Sequence, residues 1–484
     1  GASYNVLWDK SDNQLEFGDN AKLSFGGDSD MQLYHIGGAN SYIVNKANNL
    51  YVQSNNAVEI GSVDTNGSSV ETSAKFIRNG SSELYFNDVK KFQTTNTGAI
   101  VTGICTATSF SGSGEGLTYT SPLSHRNIII NGDMRVAQRA TSASMSDHGA
   151  TYDVCDRWQY NRHGVTATLA QVAETPAGRG FKYSLKLTTT SAVGSIGAGN
   201  MLAFLYRIEG QDIRRLGYGS SNAKTATISF WVRGSLSGKI GVNCARDSRT
   251  FSTNEDIVAN TWKFVEIVIP ADTSTGLSAA DTAAGFDLAI RFAAGSNFTS
   301  GTTGGSWINF HTAYAAGFTA GQQGAYLTTN GSTIQVTGVQ LEMGSVATPF
   351  EHRSYQDELM RCYRYFYAHS GQGVNGSTPN PAPDTNINNC SCQATTSVSY
   401  NIPLPVPMRV VPTLYSTVTG STRYRVNSAG ANTNSGSNPT INAVLSTHNM
   451  VSGAVAGFSG LVAGQAANVR RYLGTGILGF QAEL

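Results

Sequence analysis

Two arginines and a tyrosine in the stretch "STRYRVN" are the residues best suited to binding a charged ligand. Arg423 and Arg425 are separated by one residue, so in a strand they share one face, and Tyr424 points to the other. Together the two arginines could meet an anionic sugar. The alternative is a solvated strand face, since exposed charges are the norm at protein surfaces. These three residues are the candidate binding residues of the sequence.

Motifs that would indicate catalysis are missing from the sequence. It has no HExxH, no G-x-S-x-G and no Walker A motif. Its eight histidines are scattered and none has a metal partner at a helix or strand spacing. We therefore expect no metal, no cofactor and no enzymatic activity. A distant carboxylate pair could still form a glycosidase site, because the 32 acidic residues always offer some eligible pair.

Composition limits the class of protein and its partners. The formal charge of the 484-residue chain is +1, which does not favour a nucleic-acid partner. Only 13% of residues are charged and 53 are glycine, which is typical of β structure rich in turns. The six cysteines form no CxxC pair, so we expect free, mostly buried thiols of a reducing compartment. Because Gly1 begins in mid-pattern, we expect an N-terminal part to be missing.

Residues 1–104 are predicted to form a repetitive β shaft. Pairs of apolar residues recur at steps near 8–10 residues, separated by Gly, Asn, Asp and Ser, as in Leu23/Phe25 and Met31/Leu33. Each pair sits at i and i+2, so it lies on one strand face. Such short strands cannot complete a core alone, which predicts that identical chains intertwine as a trimer. An irregular β meander is the alternative.

The next two segments are predicted to be a linker and a sandwich. Residues 105–125 are rich in glycine and suited to a flexible linker. Residues 126–350 contain several stretches that alternate with period two, such as Ile228, Phe230 and Val232. They predict a jelly-roll-type β-sandwich, similar to carbohydrate-binding modules. In "STIQVTGVQLEMG" the alternation slips at Gly338, which predicts a β-bulge.

A short helix and a smaller β domain complete the predicted architecture. Residues 351–369 are predicted to form a linking helix, with Ser354 and Asp357 as a capping box and an aromatic stripe that includes Phe366 and Tyr367. The stripe is interpreted as packing between domains or subunits, with an aromatic binding site as the alternative. Residues 370–484 predict a C-terminal β tip domain. The predicted fold class is therefore all-β.

Several of these stretches resemble a known family. "NQLEFGDNAKLSFGGDSDMQLYH" and "ELYFNDVKKFQTTNTGAIVTG" resemble the shaft repeats of tail-fibre proteins of marine phages, above all cyanophages. "NIIINGDMRVAQRA", "ATISFWVRGS", "VTGVQLEMGSVATPFEHRSYQDELMRCYRYF" and the closing "FQAEL" resemble the distal region of such fibres. The resemblance covers most of the chain, but not the loops between residues 370 and 460.

The resemblance implies a homotrimeric virion tail fibre that attaches to the host by binding cell-surface glycans such as lipopolysaccharide. Its partners would be two further copies of itself, the host glycan, and phage tail or baseplate proteins reached through the missing N-terminal part. The protein would be made in the host cytoplasm. Two alternatives remain open, a tailspike-like polysaccharide depolymerase and a structural fibre without receptor binding. In this context Arg423, Tyr424 and Arg425 are the candidate receptor contacts.

Overall fold

A computed structural model describes most of the chain as two compact units, Gly1–Leu117 and Thr118–Leu484. The described residues are 6–64, 69–106, 125–274, 281–299, 305–309, 324–370, 386–417, 424–428, 431–435, 437, 439–442, 445–471 and 477–484. The division between the units falls inside residues 105–125, of which 107–124 lie outside the described residues. The linker and the other domain bounds therefore stay predictions.

The described part of the first unit consists of small antiparallel sheets. In each sheet, strands that follow one another in sequence are paired. Between two of these strands, Asn87 and Asp88 both have positive φ (49° and 54°), which is the two-residue turn that fits the twist of a hairpin. The strands are β1 (Val6–Asp9) and β2 (Gln14–Phe17); β3 (Lys22–Phe25), β4 (Met31–His35) and β5 (Ser41–Asn45); and β6 (Ala57–Val63), β7 (Val70–Ile77), β8 (Ser82–Phe86), β9 (Val89–Thr95) and β10 (Gly98–Val101).

In the two smaller sheets, apolar residues face one another across the strands and remain exposed. Trp8 pairs with Leu15 across β1 and β2, and Leu23 pairs with Leu33, which pairs with Ile43, across β3 to β5. The exposed fractions of Trp8 and Ile43 are 58% and 61%. Each of these cross-strand pairs stabilises its own sheet. Much of the apolar surface of the paired residues nevertheless remains exposed to water.

The five-stranded sheet has the largest of these surfaces, an apolar sheet face formed by Ile60, Phe76, Leu84, Phe92 and Val101. Four of them lie in one row across the strands. Ile60 and Leu84 each pair with Ala74, which lies between them, and Phe92 pairs with both Leu84 and Val101. Ile60 is 56% exposed, Leu84 49% and Phe76 45%. Contiguous exposed apolar patches of this kind are uncommon on monomeric soluble proteins.

The opposite face of the same sheet is charged. Glu59 and Lys75 are cross-strand partners and form an ion pair. Lys90 Nζ lies 2.7 Å from the Glu83 carboxylate and also donates to Gln93. One face of the sheet is therefore polar and internally paired, and the other is apolar and half exposed.

The second unit contains a β-sandwich of two antiparallel sheets. Its chain crosses repeatedly from one sheet to the other, as in a jelly roll. In spatial order one sheet contains β11 (Ser142–Met145), β14 (Thr166–Val172), β15 (Ser184–Ser191), β23 (Thr333–Met343), β17 (Ala226–Gly234) and β20 (Lys263–Ile269), and the other contains β12 (His148–Thr151), β13 (Gln159–His163), β16 (Met201–Glu209), β21 (Ala284–Ala294), β18 (Gly238–Arg246), β19 (Arg249–Ile257) and β22 (Ile308–Asn309).

The core of the sandwich lies between the two sheets, where the alternating sequence predicts it. Ile228, Phe230 and Val232 are fully buried in this core. The predicted bulge is confirmed: Gly338 has φ +65°, and the pairing of β17 with β23 shifts register between Ser229 and Trp231. Glycine adopts this left-handed conformation without the cost that a Cβ would bring.

The predicted linking helix is shorter than expected. Helix α3 covers Tyr355–Tyr363, and the Ser354 hydroxyl accepts a hydrogen bond from the Asp357 backbone N–H at 3.1 Å, as the capping box predicts. The prediction was wrong for Phe366 and Tyr367, which belong to strand β24 (Phe366–Ser370). Pairing with a sheet outweighs helical periodicity there, because Phe366 is fully buried once the strand forms. The other described α-helices are α1 (Gly210–Ile213) and α2 (Ala325–Thr328), and two single-turn 3-10 helices cover Arg214–Leu216 and Ser296–Phe298.

Ser354→Ala is expected to lower the free energy of unfolding by about 1 kcal/mol, the usual loss for an N-cap hydroxyl. The variant leaves the Asp357 N–H without its acceptor at the start of α3. Urea unfolding of the second unit measures this loss. The same substitution at Ser345, an exposed residue outside the helix, is expected to change stability by less than half as much. Equal effects of the two substitutions would contradict the capping role.

The C-terminal region forms two further antiparallel sheets around a second core. Glu483 connects this region to the sandwich: its carboxylate lies 2.7 Å from Arg157 Nη1 and 3.2 Å from Arg139 Nη2, and all three residues are buried or nearly so. The sheets contain, in spatial order, β24, β33 (Leu478–Gln481) and β27 (Thr413–Ser416); and β29 (Ala431–Ser435), β28 (Tyr424–Ser428), β32 (Ala466–Arg471), β25 (Asn386–Ala394), β26 (Ser397–Pro403), β31 (Met450–Ala456) and β30 (Thr440–Ile441).

The fold class is all-β, as predicted. All six cysteines are free, and only Cys105 is exposed. Burial raises the pKa of the Cys155 and Cys362 thiols well above their usual range, so both are held protonated. Among the described helices, none has the length and apolar character that crossing a membrane requires.

Candidate functional site

A cleft opens on the outer face of the six-stranded sheet of the sandwich, and we call it the Trp231 cleft. Its volume is about 500 Å³, within the range of small-ligand sites. The sheet forms its floor, and two segments that connect strands form its walls. The lining residues are Gly178, Arg179, Phe181, Ser229, Trp231, Phe264, Gly338, Ala347, Thr348, Pro349, Phe350 and His352.

Two aromatic rings form the floor of the Trp231 cleft. Phe230 and Val232 point into the core, so the pleat of β17 places Trp231 between them on the outer face. Trp231 pairs across the strands with Phe264 of β20, and their ring centroids lie 5.2 Å apart. Phe264 remains 41% exposed. The floor is therefore an accessible aromatic surface with a fixed position.

An arginine in the connection between β14 and β15 forms one wall. Arg179 stands between Gly178 (φ +71°) and Gly180 (φ +78°), two left-handed positions that suit glycine. A Cβ on Gly180 would also come within 3.3 Å of the His352 ring. This turn brings the Arg179 guanidinium carbon to 5.1 Å from the centre of the Trp231 ring, within cation–π range.

The segment after β23 forms the other wall, and hydrogen bonds hold it to the sheet. The Thr348 backbone N–H donates to Glu342 at 2.9 Å, and its hydroxyl donates to the same carboxylate at 2.6 Å. The Ala347 N–H donates to Glu266 at 2.7 Å. These contacts fix the wall before any ligand arrives, which reduces the entropy lost on binding.

The predicted bulge shapes the end of the cleft. A Cβ at Gly338 would come within 2.5 Å of the Phe181 ring, so the glycine makes room for that ring. Phe181 packs edge-on against Phe350 with centroids 5.1 Å apart, and both rings contact His352. The bulge thus lets an aromatic cluster join the two walls, in keeping with the frequent occurrence of bulges at binding sites.

The cleft combines apolar and hydrogen-bonding groups in a way that fits a sugar. A pyranose ring has C–H groups on its faces and hydroxyls around its edge. Trp231 and Phe264 present aromatic surface to such a face. The Ser229 hydroxyl, the Arg179 guanidinium and the His352 ring lie around them as hydrogen-bonding groups.

A larger cleft of about 690 Å³ lies beside helix α3, and several of its charged groups are engaged in ion pairs. Arg353 pairs with Glu351 at 3.1 Å, and Arg364 pairs with the buried Glu209 at 2.7 Å. The second pair joins the end of the helix to strand β16 of the sandwich. Histidine rings are the only aromatic rings among its described lining residues, so it has no equivalent of the Trp231 floor.

The structure describes two of the three residues that the sequence predicts as receptor contacts. Arg423 lies outside the described residues. Tyr424 is fully buried in the C-terminal core with Tyr400 and Val426, so the prediction that it contacts a receptor is wrong for this fold. Arg425 lies on β28, half-buried, and its Nε donates to Asn434 Oδ1 at 2.9 Å.

The residues of the Trp231 cleft were not found from the sequence, although one signal was present. The alternation that assigns Phe230 to the core also places Trp231 on the opposite face, where a large aromatic residue needs an explanation. No comparable signal connects Arg179 or Phe350 to Trp231, because they are distant in sequence. Among the described residues, no group of three or more His, Cys, Asp or Glu side chains could hold a metal ion.

Comparisons with known proteins give only distant structural similarities. No protein-family model matches the sequence, and no curated protein matches it. A similar solved structure is the enzymatically active domain of tailspike protein 4 of bacteriophage CBA120, with 11% identity and a TM-score of 0.24 over 45% of this chain and 22% of that one. The match thus spans less than a quarter of that tailspike chain.

Two carbohydrate-binding modules are also similar. The family 11 module of a cellulosomal cellulase from Clostridium thermocellum has 11% identity and a TM-score of 0.21, over 47% of this chain and 97% of that one. A family 61 module solved with β-1,4-galactotriose has 9% identity and a TM-score of 0.22, over 45% and 99% of the two chains. At these TM-scores the similarities carry no argument about function, which rests on the site itself.

Proposed function

We propose that this chain is the receptor-binding tail fibre of a bacteriophage, of the marine, cyanophage-like type that its sequence resembles, and that its Trp231 cleft binds a glycan of the host surface. The observation that carries the proposal is the aromatic pair at the floor of a preformed cleft, formed by the half-buried Trp231 and the exposed Phe264. Tryptophan and arginine are enriched among the few residues that carry most of the binding energy at interfaces.

The apolar faces of the first unit support a homotrimer. Ile60, Leu84 and Phe76 expose about half of their surface on a face whose other side is polar and internally paired. Identical chains related by a three-fold axis would present this same face to one another and cover it. Each described sheet of the first unit has exposed apolar residues paired across its strands. A partner that covers all of these rows must repeat along the unit as this chain does, so we propose that it is a further copy of the chain.

The trimer would raise the strength of attachment. A single cleft of this size binds a sugar weakly, but three linked clefts on one fibre, and several fibres on one particle, act at high effective concentration. The proposed role is binding without cleavage of the glycan. A virion location and synthesis in the host cytoplasm belong to the same proposal, and the free buried thiols are consistent with a reducing compartment.

Competition for host cells tests the function. The purified full chain is added to host cells before phage, and unadsorbed phage are counted. The proposal predicts that the protein blocks adsorption and that a Trp231→Ala variant does not. Undiminished adsorption at saturating protein would contradict receptor binding and favour a purely structural fibre. Steady release of reducing sugar from host envelope polysaccharide would instead favour the depolymerase.

A further inference from the structure

We propose that the Trp231 cleft selects an acidic sugar and that Arg179 is the residue that recognises its anionic group. The inference rests on the proposed function, because it names the class of glycan that the same cleft takes. It is argued from the position of one guanidinium group and from the charges around it.

Arg179 is positioned by its backbone and has no ionic partner. The positive φ angles of Gly178 and Gly180 define its turn, and its guanidinium group lies over the Trp231 ring. Within the described part of the chain it has no hydrogen bond or ion pair. Arg233 on the same sheet face differs, because its Nη1 lies 3.3 Å from Glu174.

Arg179 carries the one fixed charge among the described lining residues of the cleft, and none of those residues is acidic. Two carboxylates beside the cleft hold its wall, since Glu342 accepts from Thr348 and Glu266 accepts from the Ala347 N–H. Neither forms an ion pair with Arg179 within the described part of the chain, so the guanidinium group is available to an anion of the ligand.

Because Arg179 stacks on Trp231, neutral and acidic sugars are expected to differ in their affinity for the cleft. A sugar that packs on Trp231 displaces the guanidinium group from the ring and ends that cation–π contact. A neutral sugar has no anionic group that could form an ion pair with the displaced guanidinium group. An acidic sugar gives the displaced guanidinium group a carboxylate or sulfate oxygen pair, which its planar fork binds with two parallel hydrogen bonds. We therefore expect the acidic form of a sugar to bind about tenfold more tightly than its neutral form.

An array of matched oligosaccharides tests the inference. It carries uronate oligomers beside their methyl esters and sulfated oligomers beside their desulfated forms, and the full chain is applied as wild type and as Trp231→Ala. The expected result is retention that depends on Trp231 and is about tenfold stronger for the acidic member of a pair. The uronate and sulfate pairs show which anion is recognised.

Three arginine variants identify the group responsible. Arg179→Gln is expected to abolish the preference, so that the acidic and neutral members of each pair bind equally well, and Arg179→Lys is expected to keep part of it. Arg233→Gln removes the same charge from the same sheet face outside the cleft, and the preference should survive. A preference for neutral sugars, or one that Arg179→Gln leaves intact, would overturn this inference alone. Absence of any Trp231-dependent retention would instead overturn the proposed function.

Discussion

Replacing Trp231 with alanine is expected to weaken glycan binding at least about 30-fold, since a central tryptophan typically contributes on the order of 2 kcal/mol or more to a binding site. The ring supplies most of the aromatic floor, and Phe264 alone cannot cover a sugar face. The measurement is a titration of the full chain, wild type and variant, with the glycan that the wild type retains most strongly on the array.

The stability of the Trp231→Ala variant should change little, because the side chain lies on the outer face and the core residues Phe230 and Val232 are untouched. Val268→Ala is the matched control: Val268 is 44% exposed on the same outer face of β20 but does not line the cleft. If both substitutions reduced binding equally, or if Trp231→Ala bound as the wild type does, the cleft would not be the binding site.

Placing charge on the apolar sheet face is expected to dissociate the trimer. Phe76→Glu combined with Leu84→Glu would put six carboxylates into the interface between three chains, and each unpaired buried charge costs several kcal/mol. Light scattering of the full chain measures the result. The wild type is expected at three times the 51.2 kDa of the chain, and the double variant at the mass of one chain.

The control for this experiment uses the opposite face of the same sheet. Glu59→Lys combined with Lys75→Glu exchanges the two partners of an existing ion pair and keeps the net charge. We expect this variant to remain a trimer. A wild-type protein that is monomeric and folded at micromolar concentration would contradict the self-assembly of the first unit, whatever the variants do.

The all-β class and much of the sandwich were predictable because strand alternation is a local property. Ile228, Phe230 and Val232 are buried as their spacing predicts, and the slip of alternation at Gly338 correctly marks a bulge. The N-terminus of the helix was predictable for the same reason, since Ser354 and Asp357 form their cap within a few residues.

The binding residues were not predictable in the same way. The spacing of Arg423, Tyr424 and Arg425 fixes which of them share a strand face, but it does not tell which face is buried. Tyr424 is on the buried face because β28 packs its even-numbered residues into the C-terminal core. The Trp231 cleft depends on tertiary structure, since its floor and its two walls come from separate strands and connections of the sandwich.

The error at Phe366 and Tyr367 has a related cause. Their spacing continues the apolar stripe of α3, but β24 pairs with β33, which lies more than 100 residues later in the chain. Burial of Phe366 against Tyr415, with ring centroids 5.1 Å apart, is available only in the strand arrangement. A long-range pairing thus overrode a local helical pattern.

A crystal structure of the full chain with a retained oligosaccharide would show where the glycan binds. We expect a sugar ring to lie flat against the indole of Trp231 beside Phe264, with its polar edge toward Arg179. A glycan bound elsewhere on the chain, with the Trp231 cleft empty in the same crystal, would contradict this expectation.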